Sequence, residues 1–98
     1  DIVSQLSDMS SEAWVRSELA ASFFTSGDLE AALDNAERSV ALAASFEGQK
    51  VLGQILQQLG RKNEARAALE GALVAGGDPA GRRFVEAMLR SLSSPAGS

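Results

Sequence analysis

The chain has 98 residues, of which 45% are hydrophobic and 22% are charged, and its formal net charge is −4. This length fits one domain, and the composition is that of a folded globular protein rather than a disordered one. Cys and His are absent, which excludes disulfides and zinc–sulfur sites and removes the usual general base at neutral pH, so we expect no enzyme, no cofactor and no bound metal.

The first third of the chain is predicted to be helical. Ile2, Val3, Leu6 and Met9 have the spacing of one face of a short helix over residues 2–9. Ser10 or Ser11 is a candidate N-cap for a second, longer helix that continues to about Ser26. Seventeen alanines along the chain support helix throughout, because alanine is the best helix former.

Three further helices follow, each marked by start and stop signals. Gly27-Asp28 ends one helix and caps the next, which runs from about Leu29 to Ala43. Ser45 is a candidate cap for a helix ending near Leu59. After Gly60, another helix reaches about Ala75.

The last helix is predicted over Pro79 to Leu92, because Gly76-Gly77-Asp78-Pro79 supplies a break, a cap and a first-turn proline. Residues 93–98 are predicted to be a flexible tail. No segment alternates with period two. We therefore predict an all-α fold: a single domain over residues 1–92 in which five to six helices form a stack of antiparallel hairpins.

Two segments share one pattern of small and apolar residues at an offset of 33 residues. The first copy consists of Leu19, Ala20, Phe23, Gly27, Ala32 and Ala36, and the second of Leu52, Gly53, Leu56, Gly60, Ala65 and Leu69. Small residues let neighbouring helices approach closely, and the glycines allow tight reversals. This pattern resembles the tetratricopeptide repeat (TPR) family over roughly residues 13–75, about two repeats. Arg16 and Gln49 replace the aromatic residue that the family has in its first helix.

The resemblance implies a superhelix whose first helices line a concave groove that receives a peptide or a helix. Carried over position by position, the groove would comprise Trp14, Ser17, Glu18, Ala21, Phe24, Thr25, Lys50, Val51, Gln54, Gln57 and Gln58. The apolar members would anchor a peptide and the glutamines would hydrogen-bond its backbone. The alternative for Trp14, Phe24 and Val51 is plain core packing.

Some members of the family hold a carboxylate with Lys and Asn on this face. Ser17 and Ala21 stand at those positions here, so that kind of clamp is not expected. Arg82 and Arg90 each lie four residues from Glu86, a spacing that favours ion pairs along one helix over an anion site.

Charge is unevenly distributed. Residues 1–49 hold nine acidic and two basic residues, net −7, whereas residues 50–98 hold four acidic and seven basic residues, net +3. The simplest interpretation is solvated helix faces; the alternative is an acidic and a basic end that favour head-to-tail contacts. An acidic chain is not expected to bind nucleic acid.

No apolar run approaches the ~20 residues of a membrane span, and no signal peptide is visible, so membrane insertion is not expected and a cytoplasmic location is favoured. The leading hypothesis for function is an adaptor or scaffold module that binds a protein or peptide. The alternatives are a self-associating structural domain, hence a homo-oligomer, and a regulatory segment of a larger protein.

Overall fold

The computed structural model describes the backbone of residues 2–93 and the side chains of Met9 and residues 11–92. Residues 2–93 form five α-helices and contain no strand, so the all-α prediction is confirmed. The helices are α1 (Ile2–Ser26), α2 (Leu29–Leu42), α3 (Phe46–Gln58), α4 (Lys62–Ala75) and α5 (Pro79–Ser93). Apart from Ser93, the predicted tail lies outside the described residues.

The predicted break at Ser10 or Ser11 is wrong, because α1 is one helix of 25 residues. Neither Gly nor Pro occurs between Ile2 and Ser26, so no residue forces the helix to stop. A serine inside a helix costs only about 0.5 kcal/mol relative to alanine, which is too little to end a helix. The first four apolar positions, assigned above to a separate short helix, belong to the beginning of α1.

Local capping explains where α2 and α3 begin. The Asp28 carboxylate accepts a hydrogen bond from the Ala31 backbone N–H at 3.1 Å, and Ser45 Oγ accepts one from the Gly48 N–H at 3.1 Å. Gly27 adopts a φ of 90°, a conformation that favours glycine and reverses the chain between α1 and α2.

The first turn of α4 is stabilised differently. Arg61 precedes the helix and makes no side-chain cap. Instead, its guanidinium donates two hydrogen bonds to the Glu64 carboxylate, at 3.0 and 2.7 Å. These bonds and the charge of Glu64 raise the pKa of Arg61.

Helices α1 and α2 form an antiparallel pair. Ser39 Oγ, fully buried, donates a hydrogen bond to the Ala13 carbonyl oxygen at 2.6 Å. Nearer the turn, Arg16 Nη1 donates to Asn35 Oδ1 at 3.1 Å. The residue numbers of the bonded partners decrease along α2 as they increase along α1, so the two helices run in opposite directions. These hydrogen bonds satisfy the buried polar groups of Ser39 and Asn35.

Helices α3 and α4 form a second antiparallel pair with a close crossing. A Cβ atom at Gly53 would lie 2.6 Å from Leu69 Cδ2, so only glycine fits against this fully buried leucine. Further along, Gly71 faces the amide of Gln49. The α2–α3 and α1–α3 contacts join the two pairs.

Helix α5 packs on α4 and is attached at both of its ends. Arg82 Nη1 donates to the carbonyl oxygens of Leu73 and Gly76 at 2.8 and 2.6 Å. Its positive charge therefore caps the C-terminus of α4, where a cation is favoured. The i,i+4 spacing had favoured an ion pair of Arg82 with Glu86, but the Arg82 guanidinium donates to these carbonyl oxygens instead. At the other end, Arg66 Nη2 donates to the Leu92 carbonyl oxygen at 3.3 Å.

The core has two clusters that share α3. The first cluster comprises Ala20, Ala32, Ala36, Val51 and Ile55. The second comprises Phe46, Leu56, Ala65, Ala68, Leu69, Ala72, Val85 and Leu92. Leu33 and Leu52 pack against both clusters and so make the apolar interior continuous.

We predict that Gly53→Ala lowers the free energy of unfolding by up to about 2 kcal/mol. The added methyl overpacks Leu69, at a cost of about 1–3 kcal/mol, and this exceeds the gain in helix propensity of about 1 kcal/mol. Urea unfolding followed by circular dichroism measures the change.

Gly71→Ala is the matched control. Its methyl would lie 2.6 Å from Gln49 Nε2, the end of a flexible side chain that can move aside. This variant should be as stable as the unmodified chain or up to about 1 kcal/mol more stable. Equal destabilisation at both glycines would contradict the proposed role of the Gly53–Leu69 contact.

Candidate functional site

A concave apolar site of about 410 Å³, the Trp14 cleft, lies where four segments of the chain meet. It is lined by Ala13, Trp14, Ser17, Ala43, Ser45, Phe46, Glu47, Gly77 and Asp78. These residues come from α1, from the α2–α3 connection, from the first turn of α3 and from the α4–α5 connection. Its volume lies within the range of sites that bind small molecules or single side chains of a peptide.

Trp14 forms the exposed rim of the cleft. It is the only tryptophan of the chain, and 63% of its surface is exposed. Its backbone is held in α1, where Ser17 Oγ donates a hydrogen bond to the Trp14 carbonyl oxygen at 2.7 Å. A large aromatic ring that the fold itself leaves uncovered can bury much of its area against a partner.

Phe46 is the buried aromatic residue of the cleft, with 8% of its surface exposed. It is the first residue of α3 and follows the Ser45 cap directly. Its ring packs on two glycines: a Cβ at Gly77 or at Gly81 would lie 2.6 or 2.8 Å from a ring carbon. These two positions therefore leave the room that the ring occupies.

The charged residues of the cleft are acidic. Glu47 and Asp78 both line it. Lys50 Nζ lies 3.1 Å from a Glu47 carboxylate oxygen and 5.7 Å from the centroid of the Phe46 ring, so Glu47 is partly neutralised. Asp78 is exposed and has no ion-pair partner among the residues whose side chains the structure describes.

The residues predicted for a groove on α1 are divided between two places. Trp14 and Ser17 line the Trp14 cleft. Glu18, Ala21 and Thr25 line a second, more open concavity of about 360 Å³ further along the helix. Thr25 Oγ1 donates to the Ala21 carbonyl oxygen at 3.0 Å, so this hydroxyl is engaged within its own helix.

Several predicted groove residues are largely covered by the fold. Val51 is 7% exposed and belongs to the first core cluster, and the half-buried Phe24 packs against that cluster together with Ala21. Ser17 is 4% exposed. Phe24 and Val51 therefore pack in or against the core, which was the alternative considered for them.

The remaining predicted residues lie on α3. Lys50 is beside the cleft through its contacts with Glu47 and Phe46. Gln54 and Gln57 are half-buried and Gln58 is exposed, and all three lie outside the cleft lining. The structure thus brings Trp14, Ser17 and Lys50 to one site and leaves the glutamines further along the helix.

Phe46 and Asp78 were not predicted to be site residues. Each stands next to a helix start signal, Ser45 for Phe46 and Pro79 for Asp78, and we assigned these positions only to capping and chain reversal. For Phe46, a signal that could have found it is the 33-residue offset, which relates Ala13, beside Trp14, to Phe46 at the start of α3.

Comparisons with protein-family models, curated proteins and solved structures gave no match. Among the residues that the structure describes, no group of three or more carboxylates could hold a metal ion. Within the same part of the chain, no helix is both long enough and apolar enough to cross a membrane.

The two aromatic residues of the cleft should differ sharply in their effect on stability. Phe46→Ala removes a buried ring and should lower the free energy of unfolding by about 3 kcal/mol. Trp14→Ala removes a mostly exposed ring and should change it by less than about 1 kcal/mol. Thermal or urea unfolding measures both changes. A larger loss of stability for Trp14→Ala than for Phe46→Ala would contradict the assignment of Trp14 to the exposed rim and of Phe46 to the buried base of the cleft.

Proposed function

We propose that the chain is a protein- or peptide-binding module and that the Trp14 cleft is its binding site. The observation that carries this proposal is the exposed Trp14 ring at the edge of a concave apolar surface with Phe46 at its base. Tryptophan is enriched among the residues that dominate binding energy at interfaces, where it fills or borders a pocket.

The chemistry of the lining indicates what the partner presents. The space between Trp14 and Phe46 suits one aliphatic or aromatic side chain of an extended peptide. Asp78 and Glu47 stand beside that space, and Lys50 already pairs with Glu47. Asp78 is therefore the stronger acceptor for a Lys or Arg adjacent to the inserted apolar residue.

We also propose that α1 to α4 are two TPR-like hairpins. The 33-residue offset supports this, because it relates Ala20 to Gly53, two small residues buried within their own hairpins. The direct contact of α1 with α3 is a second support, since the first helices of successive repeats would be neighbours. In such an arrangement, a peptide anchored at Trp14 would continue towards Glu18 and Gln54.

The test is a binding titration with short peptides that carry one Phe or Leu followed by Lys or Arg, read from the fluorescence of the single tryptophan and from calorimetry. Trp14→Ala, followed by calorimetry, should weaken binding at least about 30-fold, because truncating such an anchor costs about 2 kcal/mol or more. Val74→Ala is the matched control: Val74 is 89% exposed and lies outside the cleft, so affinity should not change. Equal affinity of the Trp14→Ala variant and the unmodified chain would refute the proposal.

Substitution of the predicted groove residues is a poorer test. Glu at Val51 would place a charge in the core, so a loss of binding would report unfolding.

Asp78→Asn tests the charge preference separately. Asparagine keeps the capping ability of aspartate at the start of α5 but removes its charge. The variant should bind basic peptides several-fold more weakly at low salt and should bind peptides with a neutral residue in place of Lys or Arg as the unmodified chain does. An equal change for both kinds of peptide would contradict a role for the Asp78 charge.

A further inference from the structure

The outer face of α1 carries an exposed stripe, the α1 stripe, formed by Val15, Leu19, Ser22 and Ser26. The four positions follow the spacing i, i+4, i+7, i+11, which places them on one side of a helix. Val15 is 47% exposed and Leu19 is 41% exposed. Two large aliphatic side chains are therefore exposed to solvent at one end of this stripe, and two small residues with hydroxyl groups, Ser22 and Ser26, lie at the other end.

Helix α5 carries a stripe of the same spacing, the α5 stripe, formed by Ala80, Phe84, Ala87 and Ser91. All four residues are exposed, and Phe84 retains 44% of its surface. Small residues surround this one large ring. Such a face can pack closely on another helix, with the ring inserted between small residues of its neighbour.

One copy of the chain does not bring the two stripes together. Helix α1 packs against α2 and α3, whereas α5 packs against α4, so the stripes belong to the first and last helices of the array. Two copies can bring them together, with α1 of one against α5 of the next.

The charges of the two ends are opposite. Residues 11–42, which include most of α1 and all of α2, hold six carboxylates and two guanidinium groups, net −4. Helix α5 holds three arginines and one glutamate, net +2. Such complementarity attracts unlike ends and opposes contact between like ends.

The position of individual charges beside the stripes favours one orientation. Glu18 precedes Leu19 and Arg83 precedes Phe84, so each charge lies on the same side of its own stripe. When two helices pack face to face and antiparallel, the same sides meet. Antiparallel packing of the two stripes therefore places Glu18 of one copy on the same side of the contact as Arg83 of the other.

We propose that the chain associates head to tail, with the α1 stripe of one copy packed antiparallel on the α5 stripe of the next. This association goes beyond peptide binding. The contact is heterologous, because it joins two different surfaces. A pair of copies therefore leaves one α1 stripe and one α5 stripe unused, and such contacts extend into open chains unless a ring closes.

Sedimentation equilibrium or light scattering tests the association. The weight-average mass should rise above that of one chain with increasing protein concentration at about 0.01 M salt. It should fall back at about 1 M salt, where the Debye length decreases from about 30 Å to about 3 Å. A strictly monomeric chain at every concentration and salt would overturn the proposal.

A mixing experiment tests the head-to-tail geometry itself. Leu19→Asp blocks the α1 stripe and Phe84→Asp blocks the α5 stripe, and each variant alone should be monomeric. Their equimolar mixture should form a dimer of one copy of each and nothing larger, because one intact stripe remains on each partner. A mixture that stays monomeric while the unmodified chain associates would overturn the geometry.

Val74→Asp is the matched control, since Val74 is highly exposed and lies in neither stripe. It should associate as the unmodified chain does, and circular dichroism should show the same helix content in all three variants. A loss of association in this control would show that any added charge disrupts the contact, which would overturn the assignment to the two stripes.

Discussion

The close approach of α3 and α4 at Gly53 is the contact on which the interior depends. A Cβ at this position would lie 2.6 Å from Leu69, a fully buried side chain at the centre of the second core cluster. Because α3 also contributes Val51 and Ile55 to the first cluster, its position relative to α4 determines how both clusters pack. A chain this short buries a modest core, so a shift at this crossing affects most of its apolar contacts.

The same kind of contact, an aromatic or aliphatic side chain against glycine, also forms the site. Gly77 and Gly81 leave room for the Phe46 ring, which belongs to the core and at the same time lines the Trp14 cleft. Phe46 therefore couples stability to the shape of the cleft. Trp14 is different, because most of its surface is exposed and this apolar area is available for burial against a partner. The site thus combines a base fixed by folding with a rim that folding leaves uncovered.

Much of the fold could be predicted from local signals. Apart from the beginning of α4, for which no single residue was predicted, the bounds of α2 to α5 agree with the predictions to within one residue, because Gly, Asp, Ser and Pro at the helix ends act through their own backbone chemistry. The prediction of a separate first helix was wrong because Ser10 and Ser11 permit a cap without requiring one. The cleft was only partly predicted: Trp14 and Ser17 line it, but Phe46 and Asp78 reach it through the packing of distant segments. The family resemblance placed Val51 in the groove, and only packing decides whether such an apolar residue faces the core or a partner.

Binding of a peptide between Trp14 and Phe46 can be followed by nuclear magnetic resonance. The single indole N–H of the chain gives one resolved signal, so ¹H–¹⁵N spectra recorded during titration with a peptide of the apolar–basic type report on Trp14 without ambiguity. On peptide binding, this signal should shift in a saturable manner together with the backbone amides of Phe46, Gly77 and Asp78. The amide of Val74 should not shift. A peptide that binds while the indole signal stays unchanged, or that shifts only amides remote from the cleft, would show that the Trp14 cleft is not the binding site.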